Sequence, residues 1–125
     1  TIYLVNQPNV SSDRRLKKEI SHIDYGIETI KKMRPVHYKW KDESLGQRKQ
    51  LGFIAQDLQS VLPEVVSKSN ISKKDLRDRG QSKSEMEETY GVYYNEIIPV
   101  LVKAIQDQQE QIEALQAEVD QLKKQ

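Results

Sequence analysis

The sequence predicts an α+β chain: a small mixed head of short strands and helices, followed by one long C-terminal helix that joins a coiled coil. Three observations carry this. Ile98, Ile105, Ile112 and Val119 recur every seven residues, and Leu101, Gln108, Leu115 and Leu122 occupy the second register of the same repeat. Upstream, "PVHYKWK" alternates, with Val36, Tyr38 and Trp40 on one side and His37 and Lys39 on the other, which is the period of a half-buried strand. The 125 residues are 36% apolar and 31% charged, a lean supply for one core, so part of the chain is expected to lie outside it.

Each element follows from its local residues. Residues 1–11 hold "IYLV", a β-prone run, and then the turn-forming "NQPN". They are expected to be the end of an upstream domain and a linker, and the Thr at position 1 suggests a piece of a longer protein. Ile23, Ile27 and Ile30 fall at helical spacing within residues 21–32, and Pro35 stops that helix near Arg34. Leu51 to Ala55 form a short apolar stretch. A helix with Leu58, Val61 and Leu62 on one face follows and ends at Pro63; Val65 and Val66 can start another strand. Residues 67–88 are almost wholly polar and too long for an ordinary connection, so they are expected to form an exposed excursion with a short helix near Asp75. "TYGVYYNEI" reads as a strand. Trp40 and the tyrosines are expected in the core.

Pro99 is tolerated only near a helix start, so the last helix is expected to begin close to Asn95. About 27 residues at 1.5 Å each make a rod of roughly 40 Å. Its two-in-seven stripe is narrower than a core-facing helix carries, so it calls for partner helices. Branched residues at one seam position with Leu at the other favour two strands, and Gln108 at the seam trades stability for register. The expected division is thus 1–11, a head over 12–94 and a coiled-coil helix over 95–125.

Composition also narrows the function. Twenty basic against 19 acidic residues leave no surplus for nucleic acid. No cysteine and two histidines, His22 and His37, leave little for a metal, and no cofactor is expected. No apolar run reaches the roughly 20 residues of a membrane span. "SSDRRLKKEI", residues 11–20, is the chemical candidate. A serine hydroxyl needs a base, and a lysine can be one when burial or like charges favour its neutral form. Arg14, Arg15 and Lys18 surround Lys17, and serine–lysine pairs are a known variant of the serine–base arrangement. The spacing of five between Ser12 and Lys17 suits no single helical face, so the pair needs a turn. By residue chemistry alone, a solvated basic loop is the better account of the stretch, since serines near lysines are common. His22 and His37 have no evident acid partner, and Glu87 and Glu88 read as solvated charge.

The same stretch resembles the "S-D-x-R-L-K-x-x-I" signature that opens the self-cleaving intramolecular chaperone domains of phage tail spikes, tail fibres, endosialidases and neck appendages. "RPVHYKW", "LGFIAQDLQSVLPEVV" and "YGVYYNEIIPVLVKAIQ" follow in the same order, so the resemblance covers about residues 12–122. It implies a homotrimer, in place of the two strands that the seam residues favour, and an upstream fibre of the same polypeptide as partner. It further implies a single-turnover endopeptidase that cuts between Ser11 and Ser12, with Ser12 as nucleophile and Lys17 as base. Gln56 is then a candidate for positioning or oxyanion contact, and Asp13 and Arg15, with Arg14, for holding the loop. The implied setting is the host cytoplasm during virion assembly, with the fibre retained in the virion. Two other readings share the same elements: a trimerisation module without activity, and a DNA-binding domain with a zipper, which the near-zero net charge disfavours.

Overall fold

The computed structural model describes residues 9–72 and 86–125. The chain begins with a 3₁₀ turn at Arg14–Leu16, then runs without regular structure to a short helix, α1 (Ile27–Lys32). Strand β1 (Val36–Tyr38) pairs antiparallel with β2 (Gln50–Gly52), and helix α2 (Ala55–Gln59) follows. Strands β3 (Val66–Ser72) and β4 (Met86–Val92) form a second antiparallel pair. A 3₁₀ turn at Tyr94–Ile97 leads directly into helix α3 (Ile98–Lys123).

The core is small. Leu58, Leu62, Val65, Ile97 and Val100 are each at most 4% exposed, and Tyr25, Ile30, Met33, Phe53, Val66 and Val92 pack around them. It therefore sits where α2, the turn after it and the first turns of α3 meet. Leu62 follows Leu58 by four residues, and its amide donates to the Leu58 carbonyl at 2.8 Å. Both leucines so face the core although α2 itself ends at Gln59. Gly52 is required by close packing: a Cβ there would lie 2.7 Å from the Tyr94 hydroxyl, which accepts a hydrogen bond from the Phe53 amide at 3.1 Å.

Several expectations need correction. Residues 21–26 are not helical; α1 starts only at Ile27, because the segment before it lies along α3 instead of closing its own turns. The excursion over 67–88 is in part a hairpin, since 67–72 and 86–88 belong to β3 and β4. Polar residues on both faces conceal the period of two that marks a strand. Cross-strand partners supply the specificity: Lys68 lies opposite Tyr90 and its ammonium is 2.7 Å from the diagonal Glu88 carboxylate. The helix expected near Asp75 and the β-prone run at the N-terminus lie outside the described residues. Trp40 (44% exposed), Tyr93 and Tyr94 are not core residues. Leu51 is exposed as well, because it pairs with His37 on the outward face of β1–β2. The strand alternation held: Val36 and Tyr38 are half-buried, His37 is exposed.

Helix α3 has two uses. Val100 and Ala104 are buried against the head. Ile98, Leu101, Ile105, Ile112, Leu115, Val119 and Leu122 are exposed, each 43% or more, and Gln108 is exposed in line with them. The heptad stripe is thus largely exposed, although Ile98 at its start also lines a groove against residues 21–23.

Candidate processing site

Ser12 and Lys17 come together. The Lys17 ammonium donates to the Ser12 hydroxyl at 2.6 Å. A single 3₁₀ turn makes this possible. Arg14–Leu16 form the turn, closed by the Leu16 amide on the Asp13 carbonyl at 3.0 Å and the Lys17 amide on the Arg14 carbonyl at 3.1 Å. Asp13 and Lys17 flank it in extended conformations. Five residues that fit no helical face therefore bring two side chains to one point.

Asp13 builds that turn. Its carboxylate caps it by accepting from the Arg15 amide at 2.8 Å, and it also receives the Arg15 guanidinium through Nε at 3.2 Å and Nη2 at 2.8 Å. A short polar side chain at a cap satisfies amides that the turn itself leaves open. The Arg15 guanidinium and amide hold the Asp13 carboxyl below its usual range, and Asp13 in turn raises Arg15. Arg15 is consequently matched by a carboxylate, whereas Arg14 and Lys18, beside Lys17 in sequence, form no ion pair among the described residues. Among the described residues, the Arg14 side chain makes no bond that shapes the loop. Glu19 has φ of 55°, the left-handed region that a residue with a Cβ enters at a cost of about 1 kcal/mol or more.

The whole loop, Ser11 to Ile20, is exposed in the single chain, including its apolar residues Leu16 (74%) and Ile20 (62%). The other candidates lie elsewhere. Gln56, on α2, lines an aromatic groove of about 430 Å³ with Tyr38, Trp40, Phe53, Tyr90 and Tyr94, and makes no hydrogen bond to Ser12 or Lys17. His37 points outward from β1, and His22 lines a shallow groove between residues 21–23 and the start of α3.

Residues 21–27 are anchored by groups that sequence reading passed over. The Tyr25 hydroxyl donates to the Glu64 carboxylate at 3.0 Å, which pushes the phenol above its usual value. Asp107 of α3 accepts from the Ile27 amide at 3.3 Å, and so caps α1 across 80 residues of sequence. Its other oxygen is 2.5 Å from the Lys103 ammonium. The Lys103 contact, and then the Ile27 amide, hold the Asp107 carboxyl below its usual range, while Asp107 raises Lys103. Gly26 is buried, and a Cβ there would run into the Asp107 carboxylate. Asp107 reads in the sequence as one more polar position between seam residues. The only local signal was the glycine immediately before α1.

A peptidase family described as "Chaperone of endosialidase" matches residues 12–67, a span that opens on Ser12 and includes Lys17 and Gln56. The long tail fiber protein Gp37 of Salmonella phage S16 is 34% identical over 74 residues, which cover 55% of this chain and 10% of that protein. The chain thus spans about a tenth of the length of the curated relative it matches. Residues 12–67, a little under half of the chain, are thus similar to the endosialidase chaperone family, and the fibre relative points the same way.

Proposed function

We infer that this chain is a C-terminal intramolecular chaperone that trimerises through α3, assists folding of an upstream phage fibre, and then releases itself by cutting the Ser11–Ser12 bond. The observation that carries the reading is the 2.6 Å contact between the Lys17 ammonium and the Ser12 hydroxyl, in a turn at the position where the family match opens. The relative's name supplies the fibre, and the exposed heptad stripe supplies the partner surface.

The step balances as follows. Ser12 follows the bond to be cut, so its Oγ reaches the Ser11 carbonyl carbon through a five-membered ring. Neutral Lys17 takes the hydroxyl proton as the C–O bond forms. The C–N bond then breaks, and the proton returns to the departing Ser12 amine. Water hydrolyses the resulting ester. One product ends in the Ser11 carboxylate, and the other begins with the Ser12 amine. A water activated by Lys17 gives the same products. No pocket is needed, because the substrate is the chain itself and one turnover completes the work. A neighbouring copy that covers the exposed loop would desolvate Lys17 and favour its neutral form, which ties the cut to assembly.

Intact-mass spectrometry of the expressed fibre tests this reading. Ser12→Ala and Lys17→Ala are each expected to remain folded, trimeric and uncut, whereas the parent separates between residues 11 and 12. Release of the same product from either variant removes the pair from the mechanism. A trimer whose parent chain never cuts leaves a trimerisation module without activity.

A further inference from the structure

The loop carrying Ser12 and Lys17 has no apolar anchor of its own, since Leu16 and Ile20 are exposed. Its place is therefore set where the chain beyond it is held. Asp107 is the group from the stalk helix that does so through a hydrogen bond to the backbone. It accepts from the Ile27 amide, its carboxylate occupies the space that a Cβ on Gly26 would need, and Lys103, one turn earlier, fixes its other oxygen. Lys103 and Asp107 lie outside the heptad stripe, on a side of α3 that also buries Ala104. One helix therefore presents its seam to other copies and grips the head through a different face.

We propose that Asp107 is a positioning residue for self-cleavage: by capping α1 from the stalk, it fixes how the head, and with it the Ser12–Lys17 loop, is set around the helix that carries the seam. This rests on the self-cleaving reading above. The Ile27 amide is the element through which α3 acts, and the chain from Gly26 back to Lys17 transmits the setting to the loop. Glu19, left-handed near the loop end of that connection, is a place where the path turns sharply.

The test uses the full-length chain with Asp107→Ala, Asp107→Asn, Lys103→Ala and Gly26→Ala, with oligomeric state measured in every sample by native mass spectrometry. Asp107→Ala is expected to keep the assembly of the parent and slow first-order cleavage about tenfold to a hundredfold, the range in which a displaced reacting group acts. Asp107→Asn retains an oxygen acceptor for the Ile27 amide and is expected to restore most of the rate. Lys103→Ala keeps the cap and should stay near the parent. Gly26→Ala, whose Cβ displaces the carboxylate, should slow cleavage in the direction of Asp107→Ala, and it serves if Asp107→Ala does not fold. Hydrogen exchange in a Ser12→Ala background gives a readout without cleavage: Asp107→Ala should speed exchange of the Ile27 amide about fivefold or more, as for a lost cap, and also that of the Leu16 and Lys17 amides, whereas Asp107→Asn should not. A parent that never cleaves defeats the self-cleaving reading, while loop exchange still decides the coupling. Loop exchange indifferent to Asp107, parental cleavage in an assembled Asp107→Ala, or equal slowing by Asp107→Asn and Asp107→Ala overturns the proposal.

Discussion

Ile105 offers a clean perturbation of the proposed assembly. It belongs to the heptad stripe and is 65% exposed in the single chain, outside the buried core of the head. Ile105→Ala removes three carbons. At about 0.8 kcal/mol per buried CH₂, full burial of those carbons is worth about 2.4 kcal/mol. Scaling by the exposed fraction that a partner could cover leaves about 1.5 kcal/mol per chain. Three chains together lose about 4.5 kcal/mol, close to three decades in the trimer association constant at about 1.4 kcal/mol per decade. Sedimentation equilibrium over a wide concentration range reads this directly, and near-UV circular dichroism of the head should not change. Cleavage, followed in the same samples, should fall as the trimer is lost. An unchanged association constant would refute assignment of this stripe to the interface. Cleavage at the parental rate in a demonstrated monomer would refute the coupling of the cut to assembly.

Two further outcomes concern the head. Leu62→Ala opens a void at the most buried side chain, 1% exposed, and is expected to destabilise the head by about 2–5 kcal/mol, read from a shifted denaturation midpoint. A smaller loss than Val61→Ala, at the half-buried neighbour, would mean that the core is centred elsewhere. The Asp107–Lys103 contact gives stability a pH dependence of known sign. The folded carboxyl is lowered, so its contribution is present above the unfolded value of about 3.9 and is lost as pH falls through the folded value below it. Lys103 is raised, so its contribution is complete below about 10.4 and is lost as pH climbs through the folded value above that. Thermal melts of the parent and Asp107→Asn should therefore differ at neutral pH and converge at the acid end. Curves separated equally at every pH would assign the difference to something other than this charge.

Much was legible in residue order alone. The heptad stripe, the start of the last helix within a few residues, the half-buried β1, and the core-facing Leu58 of α2 and Leu62 just after it all follow from local periodicity and from proline's geometry, and each appears in the fold. The signature around Ser12 and Lys17 was legible as a motif. The polar β3–β4 pair was not, because its pairing depends on cross-strand contacts such as Lys68 with Glu88 and leaves no apolar alternation in one strand. Residues 21–26 misled for the opposite reason: Ile23 and Ile27 have helical spacing, yet the segment lies along α3 and takes its contacts there.

The sequence by itself determined that this chain carries a serine and a lysine in a family signature, ahead of a helix with an unsatisfied stripe. Periodicity and motif order are properties of neighbours along the chain, so they survive without a fold. Only the tertiary structure decided that one 3₁₀ turn closes the gap of five residues, that Gln56 belongs to an aromatic groove apart from the pair, and that Asp107 reaches back across 80 residues to hold α1. Those are contacts between segments, and no local pattern encodes the distance at which two segments meet.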